Sequence, residues 1–412
     1  MITRLMVVSA FVFPLAGLAA SPLTPPLLPS TEIVRPLLEA EPSVLAAHAG
    51  LDAALQKAGL LETSPYEWTP RLIGQQRRVR GGPDYNEWNI GIERTVRLPG
   101  KKAADHKLGQ AAVQLARARY GEALHEAARR FIEMWIDWLA GEQSSQIAEE
   151  GRAAIAENLA AVEKRVRAGD ASRLDLSLAQ ADLAVQERQL KNTATTASAA
   201  WLRLSTRFPG VPHEVVPVRA PEPITQNIEY WRDLILSSSD ELKSAHAELA
   251  WAHAHAERAG AERVPDPTFG LFTASEVGGH EQITGVTLSI PIPGDARAAR
   301  NAVAAAEIGV STHEAAAIRR NLEAEVESTF ATARGAYEGL LLAEKSAAFM
   351  RDNAALMQRA YVLGEASLET MLLARRQANA AMSDVVDARV KAIKASYSLQ
   401  LDGHLMWDLD RD

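Results

Sequence analysis

The sequence predicts a mainly α protein: long helical hairpins in tandem duplicate, with a small β part of four strands. Three observations predict it. First, the chain has 20 prolines, yet none falls between Gly100 and Phe208 and none follows Pro293. A proline inside a helix removes a hydrogen bond and clashes with the preceding turn. These two windows are rich in Ala, Glu and Arg and place apolar residues at three- and four-residue steps, so they read as helix. Second, each window has one short break, "GDAS" at Gly169 and "GEAS" at Gly364, about 195 residues apart. Third, each window follows an alternating run that ends in Pro-Gly, "VRLPGKK" from Val96 and "IPIPGDA" from Ile290.

Taken in order, residues 1–20 read as a secretory signal. Arg4 supplies the positive end, Leu5–Leu18 is mostly apolar, and Gly17-Leu18-Ala19-Ala20 offers small residues for cleavage. Residues 21–36 are proline-rich and read as an extended lead-in. The first repeat is expected over 37–208: a helix containing "AAHAGLDAAL", a β-hairpin at 66–98, and long helices at 100–167 and 172–207. Residues 209–224, again proline-rich, read as a crossover. The second repeat covers 225–406: a helix containing "SAHAELAWAH", a β-hairpin at 267–292, and long helices at 295–362 and 367–402. Residues 407–412 form a tail. About 65 residues of helix span on the order of 100 Å, longer than a compact domain requires. At each break a glycine ends one helix in a left-handed cap, and Ser172 or Ser367 caps the next.

Composition narrows the function. The chain contains 0 cysteines, which excludes disulfides, zinc-thiolate sites, cysteine nucleophiles and a lipid-modified cysteine. A net charge of −8 gives no general attraction to nucleic acid or anionic lipid. No run reaches the roughly 18 apolar residues of a spanning helix. "FIEMWIDWLAG" comes nearest, but Glu133 and Asp137 interrupt it, so it reads as a buried helical stripe. If the protein crosses a membrane, strands must do it.

The strand runs alternate with period two. Trp88, Ile90, Ile92, Val96 and Leu98 share one face; Val286, Leu288, Ile290 and Ile292 share another. Two readings stand at this point. The hairpins can pack on the helices of a soluble protein, or their apolar faces can meet lipid. Four strands cannot close a barrel, and open edges in lipid leave amides unsatisfied, so the second reading requires several copies. Two copies give eight strands; three give twelve, with room for water inside.

With its duplicated hairpin–helix–tip–helix units, the exported chain resembles the TolC family of outer-membrane efflux channels over essentially its whole mature length. The Gly-x-x-Ser tips and strand-end Pro-Gly turns carry that resemblance. The "LPGKK" form of the first turn is similar to the CzcC-like branch that serves heavy-metal efflux. The resemblance implies an α-barrel below a trimeric 12-stranded β-barrel in the outer membrane, with a periplasmic extension. It implies partners: a homotrimer, a periplasmic adaptor, an inner-membrane RND-type pump and outer-membrane lipid, but no nucleic acid. Pro99, Gly100, Pro293 and Gly294 would then mark where strand becomes tunnel-wall helix, and Trp88, Ile90, Ile92, Val286, Leu288 and Ile290 would face lipid.

The same resemblance places adaptor docking and the aperture at Gly169, Asp170, Ser172, Asp175, Gly364, Glu365, Ser367 and Thr370, residues that equally suit ordinary hairpin capping. Asp175 matches a family aspartate that holds the aperture closed; the corresponding second-half positions, Thr370 and Leu373, are not acidic. Arg165, Arg167 and Arg359 lie where they could pair with tip carboxylates across subunits. His246, His253 and His255 invite a metal reading, but His253 and His255 are two apart and diverge on a helix. No metal, cofactor or catalytic residue is therefore expected. Glu323, Glu325 and Glu327 read as a solvated face, and no nucleophile elbow, phosphate loop or His-Glu-x-x-His helix is present. The rival readings are a periplasmic hairpin adaptor or scaffold and a similar duct for organic drugs or toxins.

Overall fold

The computed structural model describes residues 27–407 and 409; the expected signal at 1–20 lies outside them. The first half runs α1 (Thr31–Glu39), α2 (Pro42–Glu62), β1 (Thr69–Arg78), β2 (Asp84–Thr95), α3 (Pro99–Ala168) and α4 (Arg173–Arg207). The second half repeats that order: α5 (Ile228–Ser238), α6 (Asp240–Ala261), β3 (Thr268–Glu276), β4 (Glu281–Ser289), α7 (Asp295–Val362) and α8 (Leu368–Asp402). At 70 and 68 residues, α3 and α7 are each about 100 Å long. Residues 209–227 cross between the halves without helix or strand.

Three expectations need correction. The lead-in is not extended throughout, because α1 occupies its last six residues and contains Pro36. Val34 and Leu38 are fully buried there. Their burial, about 1.5–3 kcal/mol each, offsets the roughly 3 kcal/mol cost of proline inside a helix. The single helix expected before each hairpin is two, split at Glu41 and Ser239, whose side chains accept from the next helix's amide groups. Trp407 is core rather than tail: it is buried, and its indole N–H donates to the Pro29 carbonyl at 3.0 Å.

The main core sits at the waist of the helical bundle. Phe131 stacks on Trp135 at 5.9 Å between ring centroids, and Trp135 meets Trp138 edge to face at 5.1 Å, all packed with Phe208 and Trp407. The "FIEMWIDWLAG" stretch is therefore a buried stripe, and among the described residues no helix is long and apolar enough to cross a membrane. Below the waist, α3 pairs with α4 and α7 with α8 through small residues. At Gly141 a Cβ would lie 2.9 Å from Ala197 Cα, so only glycine permits that approach.

Above the helices lies one antiparallel sheet in the order β1-β2-β3-β4. The central β2–β3 pairing joins the two halves, Trp88 opposite Ser275 through Thr95 opposite Thr268. β1 and β4 are the two edges.

Candidate functional site

The strands contain 10, 12, 9 and 9 residues, close to the 9–11 of a tilted membrane strand. Register places Leu72 beside Ile90, Ile92 beside Leu271, Leu271 beside Val286, and Phe269 beside Leu288. Together with Trp88 these form one apolar face, and all of them are exposed. Ile290 belongs to this expected set but lies one residue past the end of β4. The opposite face carries Arg71, Gln75, Arg77, Glu87, Asn89, Glu93 and Thr287. On it Glu87 is buried, receiving Gln75 Nε2 and Arg77 Nε, each at 2.8 Å. A sheet with one wet polar face, one exposed apolar face and two open edges cannot rest alone in hydrocarbon.

The first strand-to-helix turn is a buried charge cluster. Pro99 opens α3 in the first helical position, where its missing N–H costs nothing. Lys101, only 2% exposed, binds Asp266 at 3.0 Å and Glu262 at 3.2 Å. Asp105 accepts from Arg97 at 2.9 Å and from Arg258. Burial raises the Asp266 carboxyl, but the Tyr66 hydroxyl, the Leu98 amide and Lys101 outweigh it and hold it below its ordinary value. Burial and the bond to Asp266 push the Tyr66 hydroxyl up to about 12. At the second turn Gly294 caps α7, and Ile290 through Asp295 are all exposed.

At the far end, Gly169 (φ 85°) and Gly364 (φ 80°) take the left-handed conformation that closes each long helix. Asp170 N donates to Arg165 O and Glu365 N to Ala360 O, both at 2.8 Å, the six-to-one bond of a Schellman cap. Ser172 and Asp175 form a reciprocal capping box, with Asp175 N to Ser172 Oγ at 3.0 Å and Ser172 N to Asp175 Oδ2 at 2.9 Å. Ser367 caps α8 by accepting from Thr370 N at 3.2 Å. Within one protomer the tip arginines have these partners. Arg165 donates to Tyr361 Oη at 2.7 Å and lies over its ring, joining the two tips, while Arg167 lies 4.0 Å from Glu163 of its own helix.

Beneath the tips, Val162, Ala179, Leu368, Met371 and Leu372 pack the two hairpins together. Leu174, Val362 and Leu363 project from the rim, each about 70% exposed. Sequence reasoning passed over these three; the signal was bulky apolar residues beside capping glycines and serines that have no helix to pack on.

The three histidines of α6 do not assemble. His255 stacks on Trp251 and lies 3.3 Å from Glu307, while His253 faces a cavity between α2, α3 and α6. Among the described residues, the set that meets metal-ligand geometry is instead His125, Asp240 and His404.

A lipid-suited strand array continuous with helices of about 100 Å defines an outer-membrane channel. Residues 33–207 and 231–401 match the family described as Outer membrane efflux protein, and the chain belongs to that family. Its fold is similar to that of CusC, at 17% identity and TM-score 0.71 over 92% of each chain. It is also similar to VceC of Vibrio cholerae, at 14% and 0.72 over 92% of this chain and 96% of that one. The open state of MtrE of Neisseria gonorrhoeae shares 16% identity, with TM-score 0.61, over 92% of this chain and 90% of that one. No curated protein matches the sequence. The chain is thus the outer-membrane channel component of an efflux system, and it is not an enzyme.

Proposed function

We propose that three copies share one 12-stranded barrel and continue as a passive helical duct for heavy-metal cations. The cations arrive from an RND-type inner-membrane pump through a periplasmic adaptor. One observation carries the reading: a four-stranded sheet, apolar on its exposed face, with both edges open. Trp88, Ile90, Ile92, Val286 and Leu288 face lipid. The adaptor meets Gly169, Asp170, Ser172, Asp175, Gly364, Glu365, Ser367 and Thr370, with Leu174, Val362 and Leu363 as apolar contacts. A cation cargo is supported by the acid excess of 52 carboxylates over 44 basic residues and by the "LPGKK" turn.

The assembly test is direct. The mature chain should fractionate with outer membranes and run as a trimer that becomes monomeric only on heating. A freely soluble monomer without detergent would overturn the proposal. For cargo, a deletion strain should lose growth in graded zinc, cobalt, cadmium or copper; loss only in detergents and dyes would replace metals with organic compounds.

A further inference from the structure

We infer that the helical waist holds a binding site for one divalent transition-metal cation, with His125, Asp240 and His404 as ligands. His125 comes from α3, Asp240 opens α6, and His404 lies in the turn after α8. By helical rise His125 is roughly 40 Å from the strand junction and about 65 Å from the Gly169 tip, so the site belongs to neither. One ligand atom from each side chain lies within 4.8 Å of the other two. His404 Nε2 and Asp240 Oδ2 are 3.4 Å apart. Zinc bonds of about 2.0–2.1 Å in a tetrahedron set neighbouring ligand atoms at roughly that spacing. The two imidazoles stack at 5.5 Å, 20° from parallel.

Charge points the same way. A cavity of about 240 Å³ adjoins the triad and is lined by Glu122, Glu126, Glu241, Glu325 and Asp402, with Arg129 as the facing guanidinium. Arg129 is engaged by Asp402 at 2.8 Å and Glu126 at 3.4 Å. Lys243 sits 2.9 Å from the other oxygen of Asp240. Asp402 also lies 3.2 Å from His125 Nε2, where a carboxylate can orient the imidazole.

Two imidazoles with carboxylates and no thiolate select zinc, cobalt or nickel over copper(I), calcium or magnesium. The cation would clip the turn after α8 to α3 and to the α5–α6 corner. His404 holds φ at +53°, an uncommon backbone that suits a side chain held in place by such a clip. The site does not rest on the cargo reading, since a metal in the wall can be structural in a duct for any substrate.

The test uses the untagged mature protein in detergent, stripped with chelator and dialysed against zinc or cobalt. About one zinc per chain should bind and raise the thermal midpoint, and cobalt should give visible bands of nitrogen–oxygen ligation. His125→Gln with His404→Asn should weaken zinc binding at least tenfold; asparagine tolerates the left-handed backbone. Asp240→Asn gives an independent reading if the histidine pair impairs assembly. His253→Gln with His255→Gln should change nothing. Absence of stoichiometric zinc in the wild type, or binding indifferent to both His125/His404 and Asp240 variants, would overturn the site and leave only histidine–aspartate ion pairs.

Discussion

The two strand-to-helix turns share a Pro-Gly step but not an environment. Pro99-Gly100 leads into Lys101 and Asp105, which lie among Arg97, Arg258, Glu262 and Asp266, almost wholly shielded from water. Pro293-Gly294 leads into exposed Asp295, with Ile292 beside it 94% exposed. Within the protomer the first turn lies beneath the β2–β3 seam, flanked by α2 and α6. The second hangs from the edge strand β4, where a neighbouring copy would cover it. A duplication repeats pattern; position in the fold decides which copy becomes buried.

Removing charge from each turn should expose that difference most strongly. Asp105→Ala leaves Arg97 without its carboxylate and Arg258 with Glu262 alone, and should cost about 3–5 kcal/mol, read as a lower denaturation midpoint. Asp295→Ala should stay within about 0.5 kcal/mol. Equal losses would erase the contrast.

The tips are a second pair, and there the copies should behave alike. Gly169→Val or Gly364→Val forces a β-branched residue into positive φ and should cost about 1–3 kcal/mol locally. Pump-dependent resistance should fall in either variant while heat-modifiable trimer persists; undiminished resistance would count against docking at that tip. The caps separate the tips more finely. Asp175→Ala breaks the reciprocal box and should cost about 1 kcal/mol, whereas Thr370→Ala removes only a hydroxyl contact and should cost less. Arg165→Ala, at an exposed bridge to Tyr361, should cost under about 1 kcal/mol.

Acidity and alkalinity should both act on the first turn. The Asp266 carboxyl is held low in the folded chain, so its contribution is present above the ordinary carboxylate pKa and fades as pH falls through the lower folded value. Tyr66 is held high, so its contribution is complete below pH 10 and fades as pH rises toward about 12. Midpoints followed across both ranges should flatten in Tyr66→Phe on the alkaline side; an unchanged alkaline limb would place the effect elsewhere.

Much of this architecture was legible because it is local. Missing prolines marked the two helical windows, since one proline disrupts a helix wherever it falls, and the Gly-x-x-Ser breaks divided them into α3, α4, α7 and α8. Period two exposed the apolar face of β2 and β4, since neighbouring side chains alternate regardless of what covers them. Local patterns misled at Pro36, where burial of Val34 and Leu38 prevailed over proline's preference. They were silent at His125, Asp240 and His404, which lie up to about 280 residues apart and share no helix. The histidines close in sequence, by contrast, diverged because two positions on a helix are some 200° apart.

Chain chemistry alone set the duplicated helices, the capped tips and the alternation of the strands, because hydrogen bonding and sterics act between residues a few positions apart. Tertiary structure alone decided that β2 pairs with β3, that Lys101 is buried while Asp295 is wet, and that the waist gathers two imidazoles and a carboxylate. Those outcomes depend on contacts between distant segments. Their energies come from desolvation and charge pairing, which no single segment possesses until the others surround it.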